Sequence, residues 1–192
     1  MVVKRSCVAD VLANDAQKVL VRGWVHNINR IGKIAFVQLR DRTGIIQIVA
    51  DDDMVRDLRL EMSIEAAGNR VMNEKAPYGV EILADSIRIL GTVYYDMLPF
   101  EINRKKIKAS LETQLDHRTI SLRPVKSRAI FKVQQEIEEV FRNYLKENGF
   151  TQIHTPKIIS SATEGGSEMF TVDFFGKRAF LAQSPQFYKQ MM

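Results

Sequence analysis

A chain of 192 residues is long enough for one large domain or two small ones, and 45% hydrophobic with 27% charged residues is a folded, globular composition. No apolar run approaches the ~20 residues that span a bilayer, and Met1-Val2-Val3-Lys4-Arg5 lacks the apolar core of a signal peptide, so neither membrane attachment nor export is expected. The net charge of +5 is unevenly placed: residues 103–128 hold eight Lys/Arg against Glu112 and Asp116, while the chain on either side is close to neutral, which suits contact with a polyanion or a solvated linker.

Residues 5–14 read as a short helix or extended lead-in that ends in a turn at Asn14-Asp15. Its Cys7 is the only cysteine, which excludes an internal disulfide framework and fits a reducing, cytoplasmic setting. From Gln17 to Ile28 the chain alternates like a strand, with Val19, Val21, Gly23 and Val25 on one face. Ile34–Asp41 and Ile45–Ala50 make two further strands joined by Arg42-Thr43-Gly44. The run Asp51-Asp52-Asp53 suits a helix start, and Met54–Ala67 is predicted to be that helix. Strands about Asn69–Glu74 and Val80–Leu90 follow, around the turn Ala76-Pro77-Tyr78-Gly79. Three strands, a helix and two strands are the order of an OB-fold, a five-stranded barrel, with other small barrels as the alternative.

Pro99 closes this first region, and the basic linker of residues 103–128 leads to a second. There Ile130, Val133, Ile137, Val140, Phe141 and Tyr144 recur at three- and four-residue steps, making an apolar stripe on a helix over Ala129–Asn148. Gly149 is a natural C-terminal cap. Phe150–His154 reads as a short strand broken by Pro156, with two more at Met169–Phe174 and Ala179–Ala182. The expected organisation is therefore a barrel domain (1–102), a basic hinge (103–128) and the start of a third segment (129–192), an all-β part followed by an α/β part. The three histidines, His26, His117 and His154, offer no zinc spacing, so no metal held by protein ligands alone is expected.

Alternation also sorts the barrel's faces. With Val37 and Leu39 inward, Phe36, Gln38 and Arg40 point outward; with Ile46 and Ile48 inward, so does Gln47. An exposed ring stacks an unpaired base at roughly 1–3 kcal/mol, and an exposed amide reads a base edge. Lys18, Arg22, Arg30, Lys33, Arg40 and Arg42 make that half of the barrel basic, against six acids over residues 51–65. A misread alternation, with Phe36 in the core, is the competing reading.

Several stretches resemble one known family. Gly23-Trp24-Val25-His26, Phe36, Leu39-Arg40-Asp41-Arg42-Thr43-Gly44 and Gln47 look like the anticodon-binding barrel of aspartyl-, asparaginyl- and lysyl-tRNA synthetases. Leu115-Asp116-His117-Arg118 and Leu122-Arg123 resemble their linker, and the helix from Ala129 with Gly149-Phe150 and His154-Thr155-Pro156 resembles class II motif 1. Ala162-Thr163-Glu164-Gly165-Gly166-Ser167-Glu168 and Leu181 to Gln190 are similar to aspartate enzymes of the archaeal and eukaryotic type.

The resemblance implies an aspartate–tRNA ligase that joins aspartate to ATP as aspartyl-adenylate and passes it to tRNA(Asp), with tRNA(Asn) as a second substrate. It implies that Phe36 stacks an anticodon base, that Gln47 reads the central uracil, and that Arg30, His26 and Pro77 belong to the same surface. The His26/Pro77 combination looks like the type that charges both tRNAs. Glu164, in a loop that resembles a mobile lid, would hold the ammonium of aspartate, with Ser184, Gln186 and Lys189 completing the pocket. A homodimer through residues 129–160, including Pro156, is implied as well. The expected ATP-binding arginines of motifs 2 and 3 do not occur before Met192, so no catalytic residue is assigned, ATP and magnesium are expected to be held mainly by other parts, and these 192 residues are expected to be inactive alone. Val49 departs from relatives that carry a second aromatic on the barrel. An asparaginyl enzyme and a non-catalytic OB-type RNA-binding module are the alternatives; Lys189 argues against the first and the region after residue 129 against the second.

Overall fold

A computed structural model describes residues 4–94, 97–104, 106–161 and 169–192. They form two compact units, residues 1–128 and 129–192.

In the first unit, β1 (Arg5–Ser6) lies parallel on β2 (Lys18–Ile31), and α1 (Val8–Ala13) sits between them in the chain. Then come β3 (Ile34–Arg40), β4 (Ile45–Asp51), β5 (Ser63–Met72) and β6 (Val80–Gly91). The pairings run β2–β3–β4–β6–β5 and return from β5 to β2, the OB arrangement. Alternate residues of all five strands fill the interior: Val19, Val21, Val25, Val37, Leu39, Ile46, Ile48, Ile64 and Ile82 are almost fully enclosed. Burying such aliphatic side chains, at about 1.5–3 kcal/mol each, makes the inward set the main source of stability.

The predicted helix over 54–67 is absent. A single 3-10 turn (Asp52–Val55) follows β4, and from Ser63 the chain is β5. Ile64 and Ala66 are buried while Glu65 and Ala67 are less so, a period of two rather than 3.6. The three acids open a turn, and Val55, Leu58 and Met62 plug into the core from irregular backbone.

Two glycines are required by close approach. A Cβ on Gly23 would lie 2.4 Å from the Arg40 carbonyl oxygen and 2.7 Å from Leu39 Cδ2. One on Gly68, beside a β-bulge, would lie 2.1 Å from the Leu83 carbonyl oxygen.

The basic segment is partly ordered as α2 (Leu111–Asp116) and α3 (Arg118–Ser121). Ser110 caps α2 by accepting from the Thr113 N–H at 3.1 Å. Phe100 and Ile102 are buried, and Phe100 meets the His117 ring edge-on.

The helix of the second unit, α4 (Val125–Glu147), starts four residues before its predicted first residue and ends one before its predicted last. It is followed by β7 (Ile158–Ile159), β8 (Thr171–Phe174) and β9 (Lys177–Leu181), an antiparallel sheet in the order β7–β9–β8, and by α5 (Gln186–Met191). The strand predicted at Phe150–His154 is not formed; pairing begins beyond Pro156, at Ile158, opposite Leu181. The Phe150 N–H is taken by the helix end, donating to the Leu145 carbonyl at 3.0 Å, and Pro156 has no N–H to give a ladder. Among the described residues no helix is long and apolar enough to cross a membrane.

Candidate nucleic-acid interface

The register of the first sheet assembles one outer face from four strands. Phe36 on β3 stands opposite Asn29 on β2 and Val49 on β4, and Val49 stands opposite Leu83 on β6. One step along, Asn27, Gln38, Gln47 and Glu81 form a second row on the same side. Phe36 and Gln47 are half-buried while their strand neighbours Ala35, Val37, Ile46 and Ile48 are enclosed, so the alternation places both on the outer surface. Val49 and Leu83 give the ring aliphatic neighbours, not a second aromatic.

Gln47 is oriented from its side. Its Nε2 donates to Glu81 Oε2 at 2.9 Å, and Asn73 Nδ2 donates to Glu81 Oε1 at 2.9 Å. Asn73 also heads the turn that carries Pro77, its N–H donating to the Gly79 carbonyl and its side-chain oxygen accepting from the Lys75 N–H. Pro77 opens a 3-10 turn (Pro77–Gly79) in which Tyr78 has φ 65°. The Gln47 amide and the proline turn are therefore links of one hydrogen-bonded chain.

His26 is the extra residue of a β-bulge, between Val25 opposite Leu39 and Asn27 opposite Gln38. Its Nδ1 lies 3.1 Å from Arg40 Nη1. Burial, and then the Arg40 guanidinium, hold the His26 pKa below its ordinary 6.5, with Glu61 opposing. Arg30 faces the other way, in the row of Ala35, where it pairs with Asp52 at 2.8 Å and donates to the Val55 carbonyl at 2.9 Å.

The expected basic face is largely self-neutralised. Lys18 pairs with Asp85, Arg22 with Glu65 and Arg30 with Asp52. Arg40 is not an exposed cation at all: its side chain is 5% exposed and pairs with Glu61 at 2.8 Å. Glu61 also receives Arg123 from the linker at 2.5 Å. Glu61 has a left-handed φ of 65°, and its N–H donates to the Val25 carbonyl. Sequence reading placed Glu61 on a helix and passed over this cluster, a buried Arg40–Glu61 pair with a half-exposed Arg123; a charge count has no signal for pairing across 62 residues.

Asp41 has a structural role as well. Its carboxylate accepts from the Thr43 hydroxyl at 2.7 Å and from the N–H groups of Val8, Thr43 and Gly44, and Thr43 Oγ1 accepts from the Ala9 N–H. Burial pushes the Asp41 pKa up, but these hydrogen bonds outweigh it and hold the group below its ordinary 3.8. The segment Asp41-Arg42-Thr43-Gly44 thus fastens the first turn of α1 to the sheet.

In the second unit Ser184, Gln186 and Lys189 lie together at α5. Ser184 Oγ accepts from the Gln186 N–H at 3.2 Å, and Lys189 is exposed. Glu164 lies outside the described residues. Pro156 is in the unpaired run before β7, and the stripe of α4 is open, with Ile137, Val140 and Phe141 each about two-thirds exposed. Among the described residues no three His, Cys, Asp or Glu side chains gather as metal ligands.

Residues 19–90 match the OB-fold nucleic acid binding domain model of the tRNA anticodon type, and residues 110–192 match the class II tRNA synthetases (D, K and N). Over these two spans the chain is similar to the class II tRNA synthetases of that group.

Within the group it is 42% identical over 186 residues to the Aspartate–tRNA(Asp/Asn) ligase of Archaeoglobus fulgidus, covering 93% of this chain and 43% of that protein. It is 44% identical to the enzyme of the same name from Methanocaldococcus jannaschii, covering 93% and 42%. Among solved structures it is similar to asparaginyl-tRNA synthetase from Pyrococcus horikoshii complexed with asparaginyl-adenylate (TM-score 0.84, 30% identity, 99% of this chain and 45% of that one). It is also similar to a crystal structure described as an aspartyl-tRNA synthetase of Leishmania major (TM-score 0.85, 28% identity, 98% and 40%). The chain thus spans less than half the length of the relatives it matches.

Proposed function

We propose that this chain is the anticodon-binding and leading catalytic part of an aspartate–tRNA ligase. The carrying observation is the outer face of the OB sheet, where the Phe36 ring and the Gln47 amide stand on adjacent strands one row apart. An unpaired anticodon base stacks on Phe36, and Gln47 reads the central uracil through its edge. With Nε2 already donating to Glu81, the Gln47 oxygen is free to accept from the uracil N3–H.

The dual tRNA(Asp)/tRNA(Asn) substrate rests on the relatives' names and on His26 and Pro77, the first at a bulge and the second in a turn linked to Gln47 through Asn73 and Glu81. Arg30 contributes indirectly, by tying β2 to the turn after β4. In the second unit Ser184, Gln186 and Lys189, joined by Glu164, take aspartate: the ammonium of Lys189 favours an anionic side chain over a neutral isostere. The aspartate α-carboxylate attacks the α-phosphate of ATP, pyrophosphate leaves, and the terminal ribose hydroxyl of the tRNA then displaces AMP from the adenylate. The protein's contribution is to position and stabilise charge. Two copies pair through the apolar stripe of α4, in the cytoplasm.

The test is binding of a short RNA hairpin with uracil at the central anticodon position. Phe36→Ala is expected to weaken binding about tenfold, the loss of one stacked base. Binding that is insensitive to both Phe36→Ala and the identity of the central base refutes the reading.

A further inference from the structure

The row that contains Gln47 holds a second amide with no assigned role. Gln38 stands directly opposite Gln47 on the neighbouring strand, and two residues along β3 from Phe36. Directly opposite residues have Cβ atoms about 4.5–5.5 Å apart, and residues two apart on a strand lie about 6.6 Å apart on one face. The Gln38 amide is therefore within reach of whatever lies beside a base held by Phe36 and Gln47.

Its neighbours in the row are committed. Asn27 Oδ1 accepts from Asn103 Nδ2 at 3.4 Å, Gln47 donates to Glu81, and Glu81 accepts from both Gln47 and Asn73. Gln38 makes no side-chain hydrogen bond among the described residues, and none of its polar atoms is sealed from solvent without a partner. It is half-buried between two ordered strands, so its backbone is fixed while both its donor and its acceptor are open. An amide offered in that way is suited to a base edge, where donor and acceptor occur side by side.

We infer that Gln38 is a specificity-determining residue of this surface: it hydrogen-bonds the edge of a base flanking the central uracil, next to the one read by Gln47. This rests on the anticodon reading above and deepens it. The two amides, on adjacent strands, divide two adjacent nucleotides between them, while Phe36 supplies the stacking surface for the pair.

The experiment uses the 192-residue chain and hairpin RNAs in which the central base and each flanking anticodon base are changed in turn, with affinities read by fluorescence anisotropy. Gln38→Ala is expected to weaken binding of the preferred hairpin about tenfold and to flatten the base preference at one flanking position, leaving the preference for central uracil intact. Gln38→Glu, which keeps the shape and removes the N–H donors, should change which flanking base is preferred. Native circular dichroism of both variants checks the fold, and Gln38→Glu carries the test if Gln38→Ala is misfolded. Wild-type affinity and preference in both variants overturn the inference, as does loss of preference at the central position instead. If Phe36→Ala and central-base changes are also silent, the anticodon reading itself has failed; if they are effective while the Gln38 variants are silent, only the role of Gln38 is lost.

Discussion

Replacing Glu61 by alanine leaves the Arg40 guanidinium, enclosed at 5% exposure, without its carboxylate. Removing one partner of a buried ion pair costs about 3–5 kcal/mol, because the remaining charge has neither water nor counter-ion. Arg123 is 36% exposed and turns to solvent, so its share of the loss is below about 1 kcal/mol. His26 Nδ1, 3.1 Å from Arg40, cannot substitute for a carboxylate. The backbone provides an internal control. Glu61 has φ 65°, a left-handed conformation that costs an L-residue roughly 1–2 kcal/mol and glycine almost nothing. Glu61→Gly should therefore be more stable than Glu61→Ala by about 1 kcal/mol, although it removes more atoms. The assay is urea unfolding followed by the single tryptophan, Trp24, which stands opposite Arg40 in the sheet. With a slope of about 2 kcal/mol per M, Glu61→Ala should lower the midpoint by about 2 M. A shift below about 0.3 M, or a glycine variant less stable than the alanine one, refutes the reasoning.

Stability should fall as pH drops below about 6.5, because the unfolded chain binds a proton that folded His26, with its lowered pKa, refuses. Thermal unfolding of His26→Gln should lack that slope, while the further loss below pH 3.8, set by the lowered pKa of Asp41, remains. Gly23→Ala should cost about 2–3 kcal/mol, since its Cβ meets the Arg40 carbonyl oxygen at 2.4 Å; an unchanged melting temperature would contradict the packing. Ile137→Asp, in the open stripe of α4, should convert a dimer into monomers in sedimentation velocity, and a wild-type chain already monomeric at micromolar concentration would refute pairing through this face.

The strands that carry the candidate site were legible because their burial is one-sided. In β3 and β4 Ala35, Val37, Leu39, Ile46, Ile48 and Ala50 form the enclosed set, and that phase of the alternation, rather than the competing one, faces Phe36 and Gln47 outward. The segment after Asp53 was not legible in that way. Val55, Leu58 and Met62 recur at helix-like steps, yet they enter the core from a turn and a left-handed residue, and a pattern of apolar spacing does not separate the two. Arg40 was readable as outward-facing but not as covered, since Glu61 and Arg123 reach it from distant positions in the chain. Likewise Asp41 and Thr43 resembled a turn motif, and only the fold reveals that they grip α1. In the second unit the stripe of α4 was plain from spacing alone, whereas β7 fell after Pro156 because pairing there depends on β9, far along the chain.

The Asn73–Glu81–Gln47 chain has a consequence for how this surface can change over time. A one-residue insertion or deletion between Asn73 and Val80 would leave Phe36, Gln38 and Gln47 unchanged in sequence, yet it would pull the carboxylate that aims Gln47. The aim of the Gln47 amide is thus set by a hairpin's length as well as by the residues of the sheet face itself.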